Sequence, residues 1–169
     1  RTIKEICDAD WKDLTIERLP EIPDFTLLVG WTGQVAITDS LIQATEKKRK
    51  VATDSAFYKE FLKESHAIVQ GLQSAWNKQD IPALQEGIRA NRVLLNEFAQ
   101  VMQLEIETPA LQALCNLAEQ VGACAKTSGA GGGDCGICFT QNETQRQQIE
   151  NQWAKAQIQV LPLTIAEAW

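Results

Sequence analysis

The sequence predicts an α+β domain, a small and mostly antiparallel sheet with helices packed on it. Three observations carry this reading. Apolar residues recur at helical spacing through three long segments between Ser55 and Val121. Beyond Gly122 the pattern switches to period two. Half of the chain's ten glycines then fall in one stretch, Lys126 to Gly136 (KTSGAGGGDCG), between two of the expected strands. At 169 residues, with 44% hydrophobic and 22% charged content, the chain reads as one domain, residues 1–169, with a sizeable core.

Taken in order, Leu14 to Leu19 alternates loosely and reads as a strand, and Phe25 to Gly30 (FTLLVG) is a stronger one. Pro20 and Pro23 punctuate the connection between them. Val35 to about Lys50 reads as a helix whose basic end, Lys47 to Lys50, complements the helix dipole in solvent. Ser55 to Asn77 places Phe57, Phe61, Ile68, Leu72 and Trp76 on one stripe. Ile81 to Leu104 does the same with Leu84, Ile88, Leu95, Ala99 and Met102. Thr108-Pro109 opens a third helix, because Thr caps and Pro suits the first helical position. Its buried face is Leu111, Leu114, Cys115, Ala118 and Val121, and Gly122 ends it. Ala123 to Ser128 and Cys135 to Thr140 read as strands around the glycine turn. Thr140-x-x-Glu143 has the form of a capping box for a last helix reaching about Gln157. Ile158 to Leu163 closes the chain as a strand, and Pro162 pushes it toward a sheet edge.

The bulk charge narrows the function classes. A formal net charge of −6 argues against a nucleic-acid surface, so any anionic ligand must be met by local basic groups. No apolar run approaches the ~18 residues of a membrane span. Five cysteines without regular spacing do not read as a disulfide framework. A reducing, cytoplasmic setting is the simpler expectation. The chain opens at Arg1 with its only methionine at Met102, which favours a fragment of a longer protein.

The glycine stretch is the main functional signal. Gly131-x-Gly133-x-x-Gly136 matches the dinucleotide fingerprint in letters, but that fingerprint needs a helix after it, and here a strand follows. A nucleoside-triphosphatase loop needs Lys and Ser or Thr after its last glycine, whereas Lys126 precedes the run. The protein-kinase loop does lie between strands, yet its HRD and DFG partners are missing. Cys135-x-x-Cys138 is half of a metal knuckle without a second half, and no metal site is expected. A tight hairpin alone needs one or two glycines. Five, flanked by Lys126, Ser128 and Asp134, point to backbone N–H groups facing a phosphate.

The stretch SGAGGGDCGI, Ser128 to Ile137, resembles the third conserved motif of the kinase family that includes galactokinase, homoserine kinase, mevalonate kinase and phosphomevalonate kinase. Its Asp134-Cys135 ending, with VGWTG (Val29 to Gly33) and IETP (Ile106 to Pro109), is most similar to the bacterial phosphomevalonate kinases of that family. The order of elements agrees from about Leu14 to the C-terminus. The resemblance implies a ferredoxin-like C-terminal kinase domain. The family's proline- and glycine-rich ATP loop is not found in the chain, so an N-terminal ATP-binding domain of the same polypeptide becomes the expected partner. It further implies phosphorylation of 5-phosphomevalonate by ATP with Mg²⁺, and an inactive isolated fragment. Mevalonate kinase is the nearest alternative within the family, and a non-catalytic phosphometabolite-binding module is the alternative outside it.

On this reading Ser128, Gly129, Ala130, Gly131, Gly132 and Gly133 offer N–H groups to phosphate. Lys126 supplies a point charge or is a solvated strand lysine. Asp134 orients the loop, faces Mg²⁺ or is simply exposed. Arg92, beside the apolar stripe of its helix, reaches substrate phosphate or forms a structural ion pair. Thr32 at a strand exit and Thr38 near a helix start are further candidates to hold phosphate. Trp31 reads as core or cleft wall, and His66 as structural or exposed.

Overall fold

The computed structural model describes residues 2–4, 18–23, 25–33, 55–129 and 131–163. The expected strand residues 14–17, the expected helix 35–50 with its basic run, Thr38, Cys7 and Ala130 lie outside the described residues. Within them the elements run β1 (Thr26–Trp31), α1 (Ala56–Asn77), α2 (Ile81–Met102), α3 (Pro109–Gln120), β2 (Cys124–Thr127), β3 (Cys135–Thr140), α4 (Glu143–Lys155) and β4 (Gln159–Val160). The four strands form one sheet in the order β2-β3-β1-β4, every neighbouring pair antiparallel. This is the α+β architecture expected from the sequence.

Local chemistry sets the helix ends. Ser55 caps α1 by accepting from the Tyr58 N–H, and Asp80 caps α2 by accepting from Ala83. Gln103 takes the left-handed conformation that closes α2. Thr108 caps α3 by accepting from Leu111, with Pro109 behind it. The cap of α4 differs from expectation. Thr140 stays in β3, paired with Thr26, and Asn142 is the cap, its Oδ1 accepting from the Gln145 N–H at 2.9 Å. Gln145 in turn accepts from the N–H of Gln141, the residue before the cap, at 2.8 Å, so the helix start is capped two residues later than the Thr-x-x-Glu pattern placed it. The sheet ladder outcompetes the capping role of Thr140 because it claims that residue's backbone.

The core is built on a flattened patch of sheet. Leu28, Ala125 and Cys138 form one cluster with Leu114 and Ala118 of α3 and with Ile149 and Trp153 of α4. Gly30 and Gly136 are paired across β1 and β3 on this face. A Cβ on Gly30 would lie 2.7 Å from the Trp153 ring, and one on Gly136 2.6 Å from Leu114. Both glycines therefore exist to let α3 and α4 descend onto the sheet. Trp153 is fully buried, and its indole N–H donates to the Leu114 carbonyl at 3.0 Å, which ties α4 to α3. A second cluster, Phe25, Ala75 and Leu84, joins α1 and α2 to the sheet, with Phe25 stacked on Phe139 at 4.9 Å. Only Ala75 of α1 is buried, so α1 is an outer helix, and His66 on it is exposed.

β4 is shorter than the expected strand 158–163. Its pairing with β1 ends with the Leu161 N–H on the Val29 carbonyl, and Pro162 has no N–H to extend it. Among the described residues no helix is long and apolar enough to cross a membrane.

Thr140 offers a direct test of the packing. It is fully buried, and its hydroxyl oxygen has no hydrogen-bond partner among the described residues. Replacing a buried, unsatisfied hydroxyl by a methyl removes a desolvation cost of about 1 kcal/mol. Thr140→Val is expected to raise the melting temperature by about 2–4 °C in a calorimetric scan. A fall would mean that the hydroxyl is engaged.

Candidate functional site

The glycine loop, residues 128–134, is the turn of the β2–β3 hairpin. The Ser128 N–H closes it on the Cys135 carbonyl at 2.9 Å. Gly129, Gly131 and Gly132 have φ of 78°, 76° and 78°, Gly133 has 142°, and Asp134 has 52°. A glycine-rich turn of this kind is the setting in which backbone N–H groups can form an anion-binding nest.

Two distant segments hold the loop in this shape. The Gly132 N–H donates to the Ile106 carbonyl at 2.8 Å. Next to it, Gly131 approaches so closely that a Cβ would strike the Ile106 carbonyl oxygen, with the Ile106 side chain 2.6 Å away. On the other flank the Asp134 carbonyl accepts from both the N–H and the hydroxyl of Thr32, each at 2.9 Å. The three short motifs noted in the sequence, around Thr32, Ile106 and the glycines, thus meet at one place. The Thr32 hydroxyl is spent on this clamp.

These bonds sort the loop's donors. Ser128 and Gly132 use their N–H groups internally. The N–H groups of Gly129, Gly131 and Gly133 have no carbonyl partner among the described residues. Among the described residues the loop thus keeps three glycine donors without a backbone acceptor. Lys126 lies on β2, two residues before the loop, opposite Ile137. Its ammonium donates to the Thr127 carbonyl at 2.7 Å and has no carboxylate partner among the described residues. Burial lowers its pKa, the mark of a cation short of compensating negative charge.

Arg92 on α2 sits in a different environment. Its Nε and Nη2 form a fork on the two oxygens of Glu107 at 2.7 and 3.0 Å, and Nη2 also donates to Asn116 Oδ1 at 2.9 Å. Asn96 donates to Glu107 Oε2 at 3.2 Å. The two side chains are only 16% and 6% exposed. Burial works against the Glu107 charge, but the Arg92 hydrogen bonds and charge outweigh it and hold the carboxyl below its usual range. For Arg92 burial likewise opposes the charge, and the Glu107 bonds raise its pKa regardless. Of the two roles the sequence left open for Arg92, the geometry is that of an ion pair.

Sequence reasoning did not single out Ile106, Glu107, Asn96 or Asn116 as site residues. A signal existed, since an arginine beside an apolar stripe requires an acceptor, and Glu107 directly precedes the Thr108 cap. Burial pushes Cys124 up to about 11 and Cys115 up to about 12, and it raises Cys138 further, so these thiols are inert core groups. Among the described residues no group of three His, Cys, Asp or Glu side chains is placed to hold a metal ion. A larger groove of about 1050 Å³ runs along the β1–β4 edge, lined by Leu28, Ile158, Leu161 and Pro162. No residue of the glycine loop lines it, and its charged pair, Arg146 and Glu150, is self-satisfied at 2.9 Å. The glycine N–H groups without a carbonyl partner among the described residues, beside Lys126, make the loop the candidate site.

Comparison with known proteins identifies the family of the chain. The family model described as GHMP kinases C terminal matches residues 68–159. The chain is 38% identical over 168 residues to a phosphomevalonate kinase of Streptomyces sp. (strain CL190), covering 98% of this chain and 43% of that protein. Among solved structures, the Lin0012 protein from Listeria innocua superposes with a TM-score of 0.85 at 33% identity, over 96% of this chain and 45% of that one. The Streptococcus pneumoniae phosphomevalonate kinase superposes with a TM-score of 0.76 at 27% identity, over 94% of this chain and 45% of that one. That kinase has also been solved with phosphomevalonate and AMPPNP. The chain spans less than half the length of each of these relatives.

Proposed function

This chain belongs to the GHMP kinases C-terminal family, and from that premise we propose that it is the C-terminal domain of a phosphomevalonate kinase. The reaction is transfer of the γ-phosphoryl group of ATP to 5-phosphomevalonate, giving ADP and 5-diphosphomevalonate, in the cytoplasm. An N-terminal domain of the same polypeptide supplies the ATP loop and the catalytic residues. The observation that carries the proposal is the glycine loop, anchored by Ile106 and Thr32, with three glycine N–H groups that have no carbonyl partner among the described residues.

The chemistry fits such a site. A phosphate monoester has its second pKa near ~6, so the attacking oxygen is already largely ionised at neutral pH. The nucleophile needs no strong general base. A new P–O bond forms to the γ-phosphorus as the bond to the leaving ADP oxygen breaks. What remains is to hold two polyanions in line, which is work for fixed N–H dipoles and cations. Gly129, Gly131 and Gly133 supply the dipoles, and Lys126 supplies the charge that burial leaves undercompensated. Mg²⁺ would add further neutralisation. Among the described residues no group of three His, Cys, Asp or Glu side chains is placed to hold it. Thr32 and Asp134 serve the loop's shape through the bonds between them.

A single variant tests the reading. In the polypeptide that joins this domain to its N-terminal half, Lys126→Met is expected to lower kcat/KM for phosphomevalonate by about 10- to 100-fold, the loss of one charged hydrogen bond. Steady-state assay of diphosphomevalonate formation measures it. No ATP-dependent product, or unchanged kinetics in the variant, would overturn the proposal.

A further inference from the structure

The tightest charged contact among the described ion pairs is Arg92 with Glu107, and neither residue lies in the glycine loop. The carbonyl that receives the Gly132 N–H belongs to Ile106. That carbonyl and the Glu107 nitrogen are two halves of one planar peptide group. Holding the Glu107 side chain therefore restrains the Cα to which the plane carrying the Ile106 oxygen is attached. On the other side of Glu107, Thr108 is buried and caps α3. The short segment 106–108 is thus held from three directions. Arg92 and Asn96 of α2 grip its carboxylate, α3 begins at its end, and the glycine loop rests on its carbonyl.

From this juxtaposition we infer that Arg92 and Glu107 are positioning residues, whose buried fork holds the Ile106 carbonyl where it fixes the glycine loop in its ligand-ready shape. The alternative, an ion pair that merely adds stability, is weak on physical grounds. A buried pair roughly breaks even against apolar residues of the same volume, so its energy alone does not explain its presence. Its fork, by contrast, is directional. Two parallel N–H···O bonds fix the carboxylate plane as a single contact would not. Asn116 and Asn96 restrain the guanidinium and the carboxylate further. The functional weight of the inference rests on the kinase reading, but its structural content does not.

Amide hydrogen exchange on this chain, without nucleotide or substrate, separates the two. In Glu107→Gln, which keeps the side-chain shape and loses the charge, the Gly132 N–H is expected to exchange at least 10-fold faster. The amides of β1 and β3 at Leu28 and Cys138 are expected to keep their rates. Arg92→Lys, which keeps the charge and loses the fork, is expected to act in the same direction. A purely stabilising pair would accelerate all of these amides by one common factor, and that result, or an unchanged Gly132, overturns the inference. Should Glu107→Gln fail to fold, Asn96→Ala decides by the same comparison, with a smaller expected rise of about 3-fold, since it removes one hydrogen bond. Failure of the kinase reading would appear as missing turnover with the exchange pattern intact.

Discussion

Gly131→Ala is expected to destabilise the domain by about 2–5 kcal/mol and to lower turnover of the complete enzyme by about 100-fold or more. Two separate effects add. Gly131 has φ of 76°, where an L-residue is strained by about 1–2 kcal/mol. Its new methyl would also lie against the Ile106 carbonyl and side chain, an overpacking contact of about 1–3 kcal/mol. The loop can escape only by moving away from Ile106, which breaks the Gly132 bond and shifts the donors of the nest. Gly129→Ala is the control, since it has φ of 78° but nothing within 4 Å of its Cβ. Urea denaturation of both variants isolates the clash. Equal losses of stability would show that Ile106 does not press on the loop.

The largest effect on stability alone is expected from Trp153→Ala, a loss of about 3–5 kcal/mol. Trp153 is fully buried on α4, fills the space over Gly30 and holds the Leu114 carbonyl through its indole N–H. The substitution leaves a cavity on the glycine patch and removes the indole bond that ties α4 to α3. Against a typical domain stability of about 5–15 kcal/mol, that is a large share. The urea midpoint should fall with little change in slope. A loss below about 1 kcal/mol would mean that α4 can collapse onto the sheet without its tryptophan.

Much of the architecture was legible from local pattern. α2 and α3 declare themselves by apolar spacing and by the Thr108-Pro109 start, because a helix writes its buried face into residues three and four apart. The β2–β3 hairpin was legible because period two and a glycine turn are both local signals. Less was legible wherever the deciding partner is distant in the chain. Thr140-x-x-Glu143 and Asn142-x-x-Gln145 both look like caps, and only the pairing of Thr140 with Thr26 chooses between them. The pairing of Gly30 with Gly136 requires the register of β1 on β3, which no single segment contains.

The candidate site follows the same rule. The glycines and Lys126 stand out by composition, and the loop could be singled out as a candidate from that alone. Which donors remain available could not, because the acceptors that consume the Gly132 N–H and the donors that engage the Asp134 carbonyl come from Ile106 and Thr32. Arg92 was visible as an arginine beside an apolar stripe. Its partner is 15 residues away across a turn, so a fold was needed to name Glu107.

The double anchorage of the glycine loop has a consequence for protein engineering. Transplanting residues 128–134 alone into another hairpin would carry over the letters and not the shape, since Ile106 and Thr32 would stay behind. A graft that works must move three stretches that are far apart in the chain, along with the paired glycines that set the height of α3. Chimeras between relatives should therefore be cut so that all three come from one parent. Crossovers between the third helix and the hairpin are the ones to avoid.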